Sequence, residues 1–352
     1  MAKLFGKNYS KKELLDKMGN IGTLAGVRTI EYQDGFARGL RAYEVVCGDI
    51  RFTAYIDKCL DIGEYYYKGI PLHYHARPGV MNGSWFYDGE NAPRSIMCGM
   101  LFTCGLTNVG PIQQLPDGKT LPQHGFIRNT PAEHCGARCY WEGDDYYIEL
   151  TGTMRESSLF GTNLVLRRTI TCKLGENAIH IHDEIENESS TENVPLTVMY
   201  HCNAGFPLLD ADSRLVIDPE KTGERDEIAR IGRRQESPLV FGEPVVGYDE
   251  QVFYNVLRAD AAGMCHATMV NPGRRLSLTV SYSKKELPNL IHWKCKDAGN
   301  YVTGIEPSNC YPEGLARERA GGTLRLLAAH ELVENELCLS VCDGEAAMAY
   351  LK

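Results

Sequence analysis

The chain has 352 residues, 43% of them hydrophobic and 24% charged, the mix of a folded globular protein with a sizeable core. Its 37 Lys and Arg against 46 Asp and Glu give a net charge of −9 with no basic run, which argues against nucleic-acid or anionic-membrane partners because both need clustered cations. No apolar stretch reaches the roughly 18 residues of a membrane span, the N-terminus lacks the apolar core of a secretion peptide, and 13 cysteines without an export signal read as reduced thiols of a cytoplasmic protein.

In chain order, residues 10–18 are expected to form a short helix. Ser10 and Glu13 have capping-box spacing, Leu14, Leu15 and Met18 give one apolar stripe, and Gly19 is a stop. After Gly22 the pattern is mostly strand: short runs rich in β-branched and aromatic residues, broken by Gly and Asp. One hairpin pairs residues 137–142 with 146–154 across Gly143-Asp144-Asp145, and a second joins 163–173 to 178–186. Leu164, Leu166 and Ile170 share one face of the first strand of that pair, and Ile179, Ile181 and Ile185 one face of the second. Residues 74–95 and 206–250 read as long irregular excursions of the kind that build binding sites. Strands follow one another without intervening helical patterns. The expected fold is therefore all-β, a large antiparallel sandwich, with residues 1–21 as an N-terminal helical segment and 22–352 as one domain.

Three segments place a titratable residue beside backbone-shaping residues at a strand end: His124-Gly125, Tyr200-His201-Cys202-Asn203-Ala204-Gly205-Phe206-Pro207 and Gly304-Ile305-Glu306-Pro307. Alternation puts Thr197, Met199 and His201 on one face of their strand and Leu196, Val198 and Tyr200 on the other. Val302, Gly304 and Glu306 likewise share a face, and Gly304 leaves open space beside Glu306. Two imidazoles and a carboxylate are the natural parts of an acid, a base and a positioning group. Taken on spacing alone, a structural histidine remains the commoner explanation for each.

In this order and at these separations, the three segments resemble the aldose 1-epimerase (galactose mutarotase-like) superfamily, closest to its uncharacterised bacterial aldose 1-epimerase-like branch. In that branch an HG, a YHxNxGxPL and a terminal EP segment recur. Asp57-Lys58-Cys59-Leu60-Asp61-Ile62-Gly63 and Cys104-Gly105-Leu106-Thr107-Asn108-Val109-Gly110 also look like its segments, and the likeness spans roughly residues 22–345. The resemblance implies an antiparallel β-supersandwich with a small-molecule sugar on the concave face of one sheet. It also implies isomerase activity, the interconversion of α and β anomers of an aldose, without metal or organic cofactor. It assigns His201 as general acid, Glu306 as general base, and His124 to the anomeric end of the sugar. Two departures stand out. Lys58 occupies a place where arginine is expected, so a charge remains but not a planar fork. The aspartate that binds sugar hydroxyls in this superfamily has no evident match between His201 and Glu306.

Expected substrate contacts are Asn203, Lys58 and Asp61, which lie in the resembling segments, together with Arg128, Arg77 and Trp85 by residue type. Phe86, Tyr87, Trp293 and Arg94 are weaker candidates. The pairs His73/His75 and His180/His182 have strand spacing that suits a metal, but no Glu follows His75 until Glu90, and His180 and His182, opposite Ile179 and Ile181 and beside Asp183 and Glu184, read as solvated, so no metal is expected. A non-catalytic carbohydrate-binding sandwich, or a sugar lyase or hydrolase on the same scaffold, are the alternative functions. The assembly is expected to be a monomer or a homodimer.

Overall fold

The computed structural model describes residues 1–85, 92–116 and 118–352. Three large sheets dominate, and every ladder between the described strands is antiparallel. The first sheet has eight strands and runs from Glu133–Glu142 through Asp145–Ser157, Asn163–Lys173, Ala178–Asn187, Leu332–Asp343, Leu276–Ser283 and Met264–Asn271 to Arg214–Ile217. The second runs Pro219–Glu224, Gln251–Leu257, Asn289–Asp297, Asn300–Ser308 and Val194–Gly205. Past that last strand, Leu101–Leu106 and Arg325–Leu327 pair with different stretches of its far edge. The third is a five-stranded meander from Ala25–Glu31 to Ile70–Pro71. This is the expected all-β sandwich. No helix among the described residues is long and apolar enough to cross a membrane, and all 13 cysteines are free thiols.

Period-two patterning explains where the core lies. Leu164, Leu166, Ile170, Ile179, Ile181 and Ile185 are all buried and belong to one large apolar cluster that also takes Val45, Phe52 and Ile62 from the meander and Leu196, Val198 and Tyr200 from the second sheet. The other face of Val194–Gly205 meets a separate, smaller cluster containing Phe102, Met199, Val252 and Ile291. That second face is the one that matters below, because it is only partly covered.

Both expected hairpins are present, as Glu133–Glu142 with Asp145–Ser157 and Asn163–Lys173 with Ala178–Asn187. The N-terminal helix is shorter than expected, Lys11–Leu15, although its capping box is formed: Ser10 Oγ accepts from Glu13 N–H, and the Glu13 carboxylate accepts from Ser10 N–H at 2.8 Å. Only Leu14 of the anticipated stripe is buried, so nothing holds the following turn helical. A hairpin of Ala2–Leu4 with Lys7–Tyr9 precedes it, and Ala2 and Leu4 join the main core.

The larger correction concerns residues 206–250. They are not irregular throughout, for they contain strands Arg214–Ile217 and Pro219–Glu224 and the helix Glu227–Gln235. Pro219–Glu224 reads PEKTGE, a charged edge strand with no apolar alternation to reveal it. The helix buries only Ala229 and Gly232, so its apolar stripe is missing as well. What fixes its start is Asp226, whose Oδ1 accepts from Ala229 N–H at 2.9 Å.

Candidate active site

Val194–Gly205 supplies the centre of the site because its two faces do different work. Tyr200 and Cys202 point into the main core, while His201 points the other way. The neighbouring strand aligns Phe102 with His201, and the two rings stack at 4.5 Å with 23° between their planes. On the other side Asn203 pairs with Gly304, and Trp293 pairs with Gly304 from beyond, so Glu306 and Trp293 reach the same surface as His201. Gly304 is required here: a Cβ at that position would lie 2.0 Å from Glu306 Oε1 and 3.1 Å from His201 Cε1.

His124 arrives from a loop. It has φ +59, followed by Gly125 at φ +75, a left-handed pair in which a histidine is unusual. The turn is held by Gly125 N–H donating to Pro122 C=O at 3.0 Å, His124 N–H to Gly110 C=O at 2.9 Å, and Gly105 N–H to His124 C=O at 3.0 Å. Such a costly conformation persists where its surroundings over-determine it. Its outcome is a ring 6.1 Å from that of His201 and perpendicular to it.

His124, His201 and Glu306 line one cleft of about 830 Å³. Its walls are mainly loops: Ile96 and Met97, Gly110 to Ile112, Gln123, Arg225 and Asp226, Glu250, and Pro312 and Glu313, with Arg317 from the helix Leu315–Gly321 and Trp293 on the sheet side. His201 and Glu306 form a deep floor, 4% and 2% exposed. His201 Nε2 and Glu306 Oε1 are 3.1 Å apart, but not aligned as a hydrogen bond; Glu306 Oε1 and His201 Nδ1 have no hydrogen-bond partner. Desolvation raises the Glu306 carboxyl well above the usual carboxylate range, reinforced by Glu250 and opposed by Arg225. Desolvation, and then His124, lower His201 well below the usual histidine range. Desolvation and the Arg128 charge push His124 down to about 3. The uncharged forms of all three groups are thus favoured in the free protein.

Among the described residues, the expected contacts Arg128, Lys58, Asp61, Asn203 and Arg77 do not line the cleft. Arg128 is buried behind His124, donating to Ser95 Oγ at 2.8 Å and Gln123 C=O at 3.3 Å. Lys58 donates to Ser95 C=O at 3.0 Å and Asn129 Oδ1 at 2.8 Å. Asp61 accepts from Thr103 and from Arg168 at 2.7 Å in the core. Asn203 donates to the C=O groups of His201 at 3.1 Å and Gly99 at 3.3 Å. Arg77 sits exposed beside Ala298, 3.4 Å from its C=O. Lys58, Arg128 and Asn203 thus each hold a backbone carbonyl. The Trp85 side chain, Phe86 and Tyr87 lie outside the described residues.

Sequence reasoning missed a polar group on the cleft wall. Arg225 donates to Asp226 Oδ2 at 2.8 Å and to Glu250 Oε1 at 3.3 Å, and the Trp293 indole N–H donates to Glu250 Oε2 at 2.8 Å. Glu250 therefore fixes the plane of Trp293, whose ring lies 5.7 Å from that of His201. The one available signal was Asp226-Glu227 followed by Arg233-Arg234, charges suited to the two ends of a helix. Away from the cleft, the His73 and His75 rings are 4.7 Å apart, and His73 Nδ1 accepts from Tyr65 N–H at 3.1 Å. Among the described residues the one cluster with metal-ligand spacing is His182, Glu184 and Glu334, on the surface of the eight-stranded sheet.

Residues 37–341 match the family described as Domain of unknown function (DUF4432). No curated protein matches the chain significantly. Among solved structures, a protein from Klebsiella pneumoniae provisionally assigned as an aldose 1-epimerase is similar with a TM-score of 0.84 at 21% identity, over 92% of this chain and 85% of that one. A galactose mutarotase-like protein from Clostridium acetobutylicum gives 0.61 at 16% identity, over 92% and 100%. A galactose 1-epimerase from Lactobacillus acidophilus gives 0.55 at 12% identity, over 91% and 99%.

Proposed function

The chain belongs to the DUF4432 family and has the galactose mutarotase-like fold, and from that premise we propose that it is an aldose 1-epimerase-type isomerase acting on a small sugar in the cleft over His201 and Glu306. The observation that carries this reading is the His201–Glu306 contact, 3.1 Å between an imidazole and a carboxyl on the cleft floor, with buried polar atoms on both left without partners. Buried polar groups are ordinarily satisfied. Two that are not, facing a cleft, are suited to hydroxyl groups that a ligand brings.

The chemistry follows from the proton count. Ring opening needs one proton removed from the C1 hydroxyl and one delivered to the ring oxygen. C1–O5 breaks, C1–C2 rotates, and closure on the other face of the carbonyl returns both protons. The His201–Glu306 pair carries one proton, which is sufficient. Burial keeps it on the carboxyl at rest. Sugar hydroxyls donating to Glu306 would stabilise the carboxylate and let the proton cross the 3.1 Å gap to His201, leaving Glu306 as base and His201 as acid. His124, neutral and locked by its turn, holds the anomeric end, with Arg128 positioning it from behind.

Polarimetry of freshly dissolved α-anomers tests the reading. Glu306→Gln and His201→Ala should each lower turnover at least about 100-fold, the usual worth of a general acid or base, while His124→Ala should mainly raise KM. Full activity in the Glu306 variant refutes the role assignment. Sugar binding with equal anomer relaxation in all variants would instead favour a binding module, and new reducing ends or unsaturated products a hydrolase or lyase.

A further inference from the structure

Away from the cleft, the loop after strand Asp145–Ser157 presents Leu159 and Phe160 to solvent, 90% and 83% exposed. Two adjacent large apolar side chains at a loop tip are unusual on a free surface. The residues on either side of them, Ser157, Ser158, Gly161 and Thr162, form the rim of a hollow of about 590 Å³. Its interior is mainly apolar, with Leu121, Phe126, Pro195 and Leu315 as walls. The Glu156 carboxylate at its base is already engaged by Leu106 N–H at 2.7 Å and by the Thr107 hydroxyl. The hollow has ample room for a Leu and a Phe side chain together. Its own tip does not fill it: Leu159 and Phe160 line a neighbouring groove instead.

We infer that this face pairs with the same face of a second copy of the chain, each Leu159–Phe160 tip entering the hollow of the other about a two-fold axis. Self-complementarity is what such a pairing demands, and a projection and a socket side by side on one face provide it. Charge agrees: exposed Glu192 flanks the tip across a neighbouring groove, and exposed Arg319 lines the hollow, so the two-fold sets acid opposite base. The pairing has a structural consequence for the cleft. Segment 107–126 contributes Phe126 to the hollow and His124 to the cleft, and segment 312–319 contributes Leu315 to one and Pro312 to the other. An occupied hollow therefore braces two walls of the cleft from behind.

Sedimentation of the full chain at micromolar concentration decides the matter. The wild type should be dimeric. Phe160→Asp, at an exposed tip that leaves the fold intact, should raise the dissociation constant at least about 30-fold, the loss of one interface anchor. Thr120→Trp, which plugs the hollow from its exposed rim, should do the same from the opposite side. Arg319→Glu should weaken pairing, and adding Glu192→Arg should restore it. A monomeric wild type overturns the proposal, and so does a dimer that survives both Phe160→Asp and Thr120→Trp.

Discussion

Two buried polar clusters lie back to back across strand Val194–Gly205, and they are finished differently. Behind it, Arg168 is wholly buried, donating to Asp183 at 2.7 and 2.8 Å and to Asp61 at 2.7 Å, while Tyr200 O–H donates to Asp183 at 2.7 Å and Asn335 to Tyr200 at 3.1 Å. Apart from Asn335 Oδ1, its polar side-chain atoms are satisfied from within the fold. In front, His201 and Glu306 are just as deep yet have one unaligned contact between them. Depth therefore does not distinguish the two clusters; completeness of hydrogen bonding does.

The sharpest way to break this comparison is to remove one member of each cluster. Arg168→Met strands two buried carboxylates and should cost about 3–5 kcal/mol of stability in urea unfolding; a loss below about 1 kcal/mol would mean the rear network is not structural. Glu306→Gln removes a desolvated acid without that burden, and its unfolding midpoint should hold or rise while turnover collapses. Gly304→Ala should leave the fold intact, since the intruding methyl meets side-chain atoms of Glu306 and His201, but should cut kcat by about 100-fold through misplacement of those groups. Wild-type turnover in that variant would show the two groups need not be held where they are.

Effects of pH follow with opposite reach for activity and stability. On the proposed reading, the His201–Glu306 pair works with one proton. Its acid limb, where His201 takes a second, should fall below the usual histidine range, and its alkaline limb above the usual carboxylate range, giving a broad neutral plateau. Stability behaves otherwise. His75 is pushed down to about 4, and His124 and His292 to about 3, each from 6.5. Below pH 6.5 the unfolded chain binds protons that the folded chain refuses, so this contribution is full above 6.5 and is lost as pH falls toward 3. The buried carboxyls of Glu306, Asp61 and Glu156, raised by desolvation, act in the opposite sense, so the histidine contribution is read by difference: urea midpoints from pH 7 to 4 should fall less steeply in His292→Gln than in the wild type, and equal slopes would contradict it. The smallest effect is expected at the wall: Trp293→Phe frees Glu250 from its indole and should raise KM a few-fold with kcat little changed, whereas a drop in kcat alone would move Trp293 into the reacting centre.

The floor of the site was legible because strand alternation is strict: once Tyr200 is assigned to the core, His201 must face away, and Gly304 beside Glu306 marks the room left for it. The walls were not. Arg225 joins an edge strand made of charge to a helix without an apolar stripe, and Glu250 ends the irregular stretch before Gln251–Leu257, so no periodicity distinguishes them from loop. Lys58, Asp61 and Asn203 mislead in the other direction. They sit in the segments that carry the family resemblance, but their partners, Asn129, Arg168 and Gly99, are distant in sequence and invisible without the fold.

That division of labour has a consequence for how such a protein can change. His201 and Glu306 ride on paired strands whose register is fixed by the core, while most of the cleft wall rides on connections that tolerate insertion and exchange. On the proposed reading, substrate preference is open to change at residues 111–112, 225–226 and 312–313 without touching the strands that carry His201 and Glu306, whereas Gly110 is held, because a Cβ there would lie 2.4 Å from Pro312 C=O. Slipping Val194–Gly205 by a single position would instead send the imidazole into oil and the tyrosine into water, so the floor is the conservative half of the cleft and the wall the free one.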